Sequence, residues 1–266
     1  MRLAFSLEYD GTDFSGFQSQ KNAPTIQDNL EDALRKITNE NNRLTYSGRT
    51  DAGVHALSQV CDFETNIERS NEDWINGINS NLPSTISVKD IFKVPDTFNS
   101  RFSAIERKYS YVIYNSSNKP LFIDRNIFWV RNNLDIQLMK KEMKSFVGKN
   151  DFSSFRSSSC NSKNPIKTIK DIDLRTFNDF IIITVIANAF LHNMVRIMVG
   201  TLVDIAKKEN NMSIRDIIEK KDRSIAGKTA PASGLFFLGP RYPDEFKVNT
   251  CEKDIFDRYK TNEAIN

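Results

Sequence analysis

Asp51 stands in the segment YSGRTDAGVHA, residues 46–56, two positions after Arg49 and with Gly48 and Gly53 on its flanks. An unperturbed aspartate has a pKa of about 3.9, so at neutral pH it is a carboxylate, able to act as an acceptor, a metal ligand or a nucleophile. Gly48, Ala52 and Gly53 are small enough to let a backbone pass close to a ligand while the carboxylate projects. The same composition builds an Asx-turn between two strands. Residue type alone leaves both readings open. A metal site finds little support, because His55 is the nearest other ligand, the chain has only two histidines, and no further carboxylate lies at a usable spacing. His55 is also a base in principle.

Two other side chains bear on that carboxylate. Arg196 lies in LHNMVRIMVGTLVDIA, residues 191–206, where the only other charged side chain is Asp204. Asn193, Arg196 and Gly200 share one helical stripe through their spacings of three and four. A guanidinium on so apolar a helix requires an anion, because an unpaired buried charge is strongly destabilising. A structural ion pair meets that need, and so does the carboxylate of a cleft. Tyr109, in RKYSYVIYN, is either a core tyrosine with a wet hydroxyl or a ring on which a base stacks.

The elements that must position these groups follow from hydrophobic period. RLAFSLEY alternates and reads as a half-buried strand. Thr25 can cap a helix whose stripe is Ile26, Leu30, Ala33, Leu34 and Ile37. Strands near 42–47 and 55–63 bracket the Asp51 loop, a helix near 72–80 ends at NLP, and TISVKDIFKV is another strand. Short links make antiparallel connections the expectation. The second half repeats the mixture: a strand at 107–115, a helix over 134–147 ended by Gly148, two strands joined at FND, a long helix over 191–206, a short one from Ser213, and a last strand, GLFFLG. Two tightly joined subdomains are expected, residues 1–104 with the Asp51 loop and 105–242, followed by a loosely docked tail at 243–266.

Composition narrows the class. At 266 residues, with 39% hydrophobic and 27% charged side chains, the chain suits a soluble protein of one or two domains. No run approaches the roughly 18 apolar residues of a membrane span. The polar Ser6, Glu8 and Asp10 interrupt any apolar signal region, so a cytoplasmic setting is expected. Cys61, Cys160 and Cys251 form no CxxC pair, which suits reduced thiols. The net charge is only +3, but it is uneven. Between Leu138 and Lys170 stand eight bases (Lys140, Lys141, Lys144, Lys149, Arg156, Lys163, Lys167, Lys170) against Glu142 and Asp151, an excess of 8 − 2 = 6. Such a stretch faces either a polyanion or plain solvent.

The loop SGRTDAGVHA resembles the signature of the tRNA pseudouridine synthase A family. YDGTDFSGFQSQ, TIQDNLEDAL, NLP, RFSA, RKYSYVIYN, DFSSFR, PIKTI, FLHNMVRIMVG and TAPASGL resemble its successive motifs in order, across nearly all of residues 1–242. The resemblance implies an α+β pseudouridine synthase fold, with two ferredoxin-like halves whose antiparallel sheets flank a basic active-site cleft. It implies a homodimer that isomerises uridine to pseudouridine at positions 38–40 of the tRNA anticodon stem-loop, without cofactor or metal. It places the catalytic aspartate at Asp51, the active-site tyrosine at Tyr109 and the arginine partnering the aspartate at Arg196. Arg49 and Thr50 fall in the same substrate-binding loop, and Leu235 falls in the uracil pocket. Phe17, Ser19 and Asn99 depart from the residues usual in the family and bear on tRNA contact. Two other classes stay open: a catalytically silent RNA-binding protein, and a glycosidase releasing free base, which usually needs a second carboxylate.

Overall fold

The computed structural model describes residues 1–160, 162–248 and 255. They fall into two compact units, Met1–Arg107 with the chain from Phe236 onward, and Lys108–Leu235.

In the first unit β1 (Arg2–Tyr9) is followed by α1 (Ile26–Thr38), β2 (Thr45–Tyr46), β3 (His55–Glu64), α2 (Asn71–Asn79) and β4 (Ile86–Val94). β1 lies between β4 and β3 and is antiparallel to both, while β2 is antiparallel to β3. The order β4-β1-β3-β2 with two crossover helices is the ferredoxin-like arrangement. Thr25 caps α1 as its sequence suggests, accepting the Asp28 N–H, and Asn39 ends the helix in the left-handed region (φ 57°). Ile26, Leu30, Ala33 and Leu34 are buried, as are Trp74 and Ile78 of α2. Phe63 meets Phe5 and Trp74 edge-on, at ring separations of 6.0 and 5.7 Å.

β1 differs from the half-buried strand its alternation suggests, for Leu3 through Leu7 are all buried. Its second face is covered by residues from far along the chain: Ala4 packs in a cluster with Val60, Val94, Phe98, Tyr242 and Val248, with Phe246 against it. The tail expected from 243 therefore begins packed. Beyond Val248 the tail lies, Ile255 apart, outside the described residues. The last strand, β10 (Leu235–Arg241), runs parallel to β3 and pairs Phe236 with His55.

In the second unit the order is β5 (Glu106–Asn115, its first two residues in the first unit), β6 (Phe128–Val130), α3 (Ile136–Glu142), β7 (Gly148–Asp151), β8 (Ile166–Phe177), β9 (Phe180–Ala187), α4 (Met194–Ala206) and α5 (Ile214–Lys220). The strands lie in the order β5-β9-β8-β7 with β6 on β5. β8 and β9 form the hairpin expected at FND, with Asn178 left-handed at the turn (φ 49°). The helix expected over 134–147 is α-helical only to Glu142 and then tightens into a 3₁₀ turn, Met143–Phe146, before Gly148. That turn delivers Phe146 to a cluster with Phe152 and Phe155, all three fully buried. α4 begins three residues later than the apolar run does, because Asn193 takes a left-handed conformation (φ 60°) before it. β6 and β7 are too short, and β7 too polar, to leave a periodic trace.

Phe63 joins β3 to β1 through Phe5 and to α2 through Trp74. Phe63→Ala is expected to cost about 3–5 kcal/mol. A urea titration checks this: the midpoint should fall while the slope stays unchanged.

Candidate active site

The Asp51 loop is fastened at both ends before any ligand arrives. At its start, the Ser47 N–H donates to Val60 O (2.9 Å) and Gln59 Nε2 donates to Gly48 O (2.7 Å). At its end, the Asp51 carbonyl accepts the Val54 N–H (3.1 Å). Between these points the segment after β1 grips it: the Phe17 N–H donates to Thr50 O (3.1 Å), the Gly53 N–H to Phe14 O (3.3 Å), and the Tyr9 and Thr50 hydroxyls lie 2.7 Å apart. A Cβ on Gly11 would lie 2.0 Å from the Val54 carbonyl oxygen, so this approach is open to glycine alone. Thr50 is buried by its grip, Asp51 is half-buried and Arg49 is exposed. The loop is thus more than an Asx-turn between strands, since its backbone is set by contacts outside itself.

His55 is held inside the first unit. It is buried, its ring stacks on Phe236 at 4.8 Å, and its Nδ1 accepts the Gly11 N–H (3.2 Å) with Asp10 Oδ1 3.1 Å away. Phe17 is likewise internal: fully buried, with Tyr46 at 4.6 Å and Tyr9 at 6.0 Å, it supports the loop from below. Its departure from the family's usual residue bears on packing under Asp51 rather than on an RNA-facing surface.

In the second unit Arg196 is fixed by its own surroundings. Its Nε donates to Ala230 O and its Nη1 to Asn193 Oδ1, both at 2.8 Å, while its carbonyl accepts the Ala230 N–H (3.1 Å). The stripe Asn193–Arg196–Gly200 is the face of α4 that residues 227–230 cross. A Cβ on Gly200 would lie 1.8 Å from the Lys228 carbonyl, and Thr201 Oγ1 accepts the Gly227 N–H (2.9 Å). The crossing segment continues to Pro231, whose carbonyl accepts the Tyr111 hydroxyl (2.7 Å), and then to Leu235, which is buried. Burial pushes the Tyr111 phenol far above its ordinary range, so it stays a protonated donor. Tyr109 is buried two positions away, its ring edge-on to Phe190 at 5.1 Å. Phe190 and Asn193 belong to one turn before α4, which thereby touches both Tyr109 and Arg196.

The basic stretch keeps its charge because its acids are spent inward. Glu142 Oε2 accepts the Ile214 N–H (2.9 Å), and Asp151 pairs with Lys221 (3.2 Å) and caps Ser153, which together hold its carboxyl below the usual range despite partial burial. Lys141, Lys144, Lys149, Lys163 and Lys170 are exposed. Among the described residues no group of three or more His, Cys, Asp or Glu side chains could hold a metal ion, and no helix is long and apolar enough to cross a membrane.

A family model described as tRNA pseudouridine synthase matches residues 6–103 and 143–243, which include Asp51, Arg196 and Leu235. The chain belongs to this family. Its fold class, α+β with the pseudouridine synthase fold, follows from that membership. The chain is 44% identical over 249 residues to tRNA pseudouridine synthase A of Pseudoalteromonas atlantica, covering 93% of this chain and 95% of the relative. It is 42% identical over 254 residues to the protein of that name from Buchnera aphidicola, covering 96% and 97%. A solved Cbf5–Nop10–Gar1 complex is far more distant, with 11% identity and a TM-score of 0.39 over 98% of this chain and 56% of that one. Tyr109 lies between the two matched segments of the family model.

The grip of Tyr9 on Thr50, the role of Phe17 and the crossing at Gly200 escaped sequence reading, because contacts distant in the chain leave no period. Gly200→Ala is expected to destabilise the protein by about 1–3 kcal/mol, since the methyl group meets a backbone carbonyl with nowhere to retreat. Thermal unfolding checks this, with a melting temperature lower by about 2–4 °C per kcal/mol lost.

Proposed function

We propose that the protein isomerises uridine to pseudouridine at positions 38–40 of the tRNA anticodon stem-loop, with Asp51 as the nucleophile. The observation that supports this most is the fixed backbone of the Asp51 loop in a chain of the tRNA pseudouridine synthase family. The reaction breaks the C1′–N1 bond, turns the uracil and joins C5 to C1′; N1 gains a proton and C5 loses one, so atoms and electrons balance without a redox partner. A carboxylate that holds one fragment covalently, at C1′ or at C6, divides this exchange into two easier steps. Because the target base must leave its stack, at a cost of a few kcal/mol, a preset loop avoids a second ordering cost.

In this reading Tyr109 takes the proton from C5 or stacks on the uracil, and Arg196 supplies the cation that the reacting carboxylate requires. Arg49 and Thr50 contact the substrate beside Asp51, and Leu235 lines the uracil pocket. The exposed lysines of residues 140–170 attract the tRNA backbone. The protein works in the cytoplasm as a homodimer.

Asp51→Asn is expected to keep the fold and tRNA binding while losing nearly all turnover, measured as pseudouridine in digested tRNA. Substantial product from this variant would remove Asp51 from the mechanism, and free uracil with an abasic site from the wild type would make the protein a glycosidase. Arg196→Lys keeps the charge but loses the planar fork that bonds Ala230 and Asn193. Its rate is expected to fall by about tenfold or more, the effect of losing one good charged hydrogen bond, in single-turnover assays with saturating enzyme.

A further inference from the structure

The turn Asn99–Ser103 presents an exposed aromatic ring, partly overlain by the Arg101 guanidinium, on a rigid support. Phe102 is 79% exposed, next to the exposed Arg101, whose Cζ lies 5.3 Å from the ring centroid. Surface phenylalanines standing alone are ordinary, but this one is held with unusual care. Asn99 Oδ1 accepts the N–H groups of Arg101 and Phe102, each at 3.0 Å, and the Asn99 N–H donates to Ser103 Oγ (3.1 Å). Below the tip, the Ser100 N–H donates to Asp62 Oδ1 (2.8 Å), the Tyr242 hydroxyl donates to Ser100 O (2.7 Å), and Arg2 Nη1 donates to Phe98 O (3.0 Å). Asp62 and Ser100 are both fully buried. Side chains from β1, β3 and the segment after β10 thus converge on one short turn.

The turn is also tied to the Asp51 loop within the same unit. Arg107 donates to the carbonyls of Arg101 and Ala104 and reaches Ser47 O at 3.4 Å, the residue from which the loop departs. A turn fixed by so many bonds has already met the ordering cost of presenting its tip. What the turn itself presents is one ring and one guanidinium, with Ile105, 42% exposed, following it in the chain. A protein partner would need a wider apolar patch. Unpaired RNA bases stack on aromatic faces and on guanidinium planes, and a neighbouring arginine meets the phosphate.

We propose that the Asn99–Ser103 turn is a stacking platform for an unpaired base of the RNA substrate, with Phe102 under the base and Arg101 on the adjoining phosphate. This rests on the tRNA-modifying reading above. It also gives Asn99, which departs from the family's usual residue, a defined role: its side chain shapes the tip.

The test measures tRNA affinity by filter binding across a salt series, in Asp51→Asn protein so that turnover does not intervene. Adding Phe102→Ala or Phe102→Leu should weaken binding about tenfold, within the range for losing one stacked base, while Phe102→Trp should retain it. Arg101→Gln should reduce the slope of log affinity against log salt by about 1. Unchanged binding by Phe102→Ala overturns the platform, as does full retention by Phe102→Leu, which would mean apolar docking without stacking. Sedimentation of Phe102→Ala should match the parent; a loss of mass would make the ring an interface between copies and overturn the proposal. Failure of the Asp51→Asn parent itself to bind tRNA would instead strike the tRNA reading, and the platform with it.

Discussion

Main chain lying directly on main chain is the constraint from which both candidate halves are built. In the first unit Gly11 sits against the carbonyl of Val54, where a Cβ would be 2.0 Å from the oxygen. In the second, Gly200 lets the carbonyl of Lys228 cross α4 with a clearance that would place a Cβ 1.8 Å away. Side chains would spread these segments apart and give them freedom. Their absence lets backbone hydrogen bonds set position directly, and backbone geometry varies less than rotamers do. Asp51 and Arg196 each stand a few residues from such a contact, so each is delivered by a segment whose path is already decided.

That economy matters for an isomerisation with no external reagent. The rearrangement of uridine to pseudouridine draws on no redox partner or phosphate donor, so acceleration must come from positioning and from groups placed where charge develops. The protein invests accordingly. Tyr9, Phe17 and Gln59 hold the loop, and Asn193, whose side chain does not cap α4, bonds Arg196 instead. The acids of the basic stretch are engaged by the fold, Glu142 at the start of α5 and Asp151 with Lys221, while Lys141, Lys144, Lys149, Lys163 and Lys170 are exposed.

Much of this was legible in residue order, and the limits are physical. Thr25, the α1 stripe and the FND hairpin are local signals, and the structure carries each of them. The alternation of β1 suggests a half-buried strand because it describes one face only. The second face is covered by Tyr242 and Val248, which no local window contains. The Asp51 loop announced itself through glycine and aspartate, yet composition could not separate a turn from a device. The Tyr9–Thr50 contact, which makes the difference, joins residues 41 positions apart. The motif comparison sets Phe17 among departures bearing on tRNA contact, because a motif reports identity and not burial; the residue is wholly internal. α3 gives way after Glu142 to a 3₁₀ turn that seats Phe146 in its aromatic cluster, a tertiary contact that the helical period does not report.

In the proposed function the Asp51 loop rearranges the glycosidic bond of uridine. The most direct measurement uses a transcribed tRNA carrying tritium at C5 of uridine, incubated with the protein. Joining C5 to C1′ must expel that label, so the account predicts tritium in the solvent, released in step with new pseudouridine and from the anticodon arm alone. Tight binding of the same tRNA with its label fully retained would contradict it, and would return Asp51 to the ordinary work of a turn.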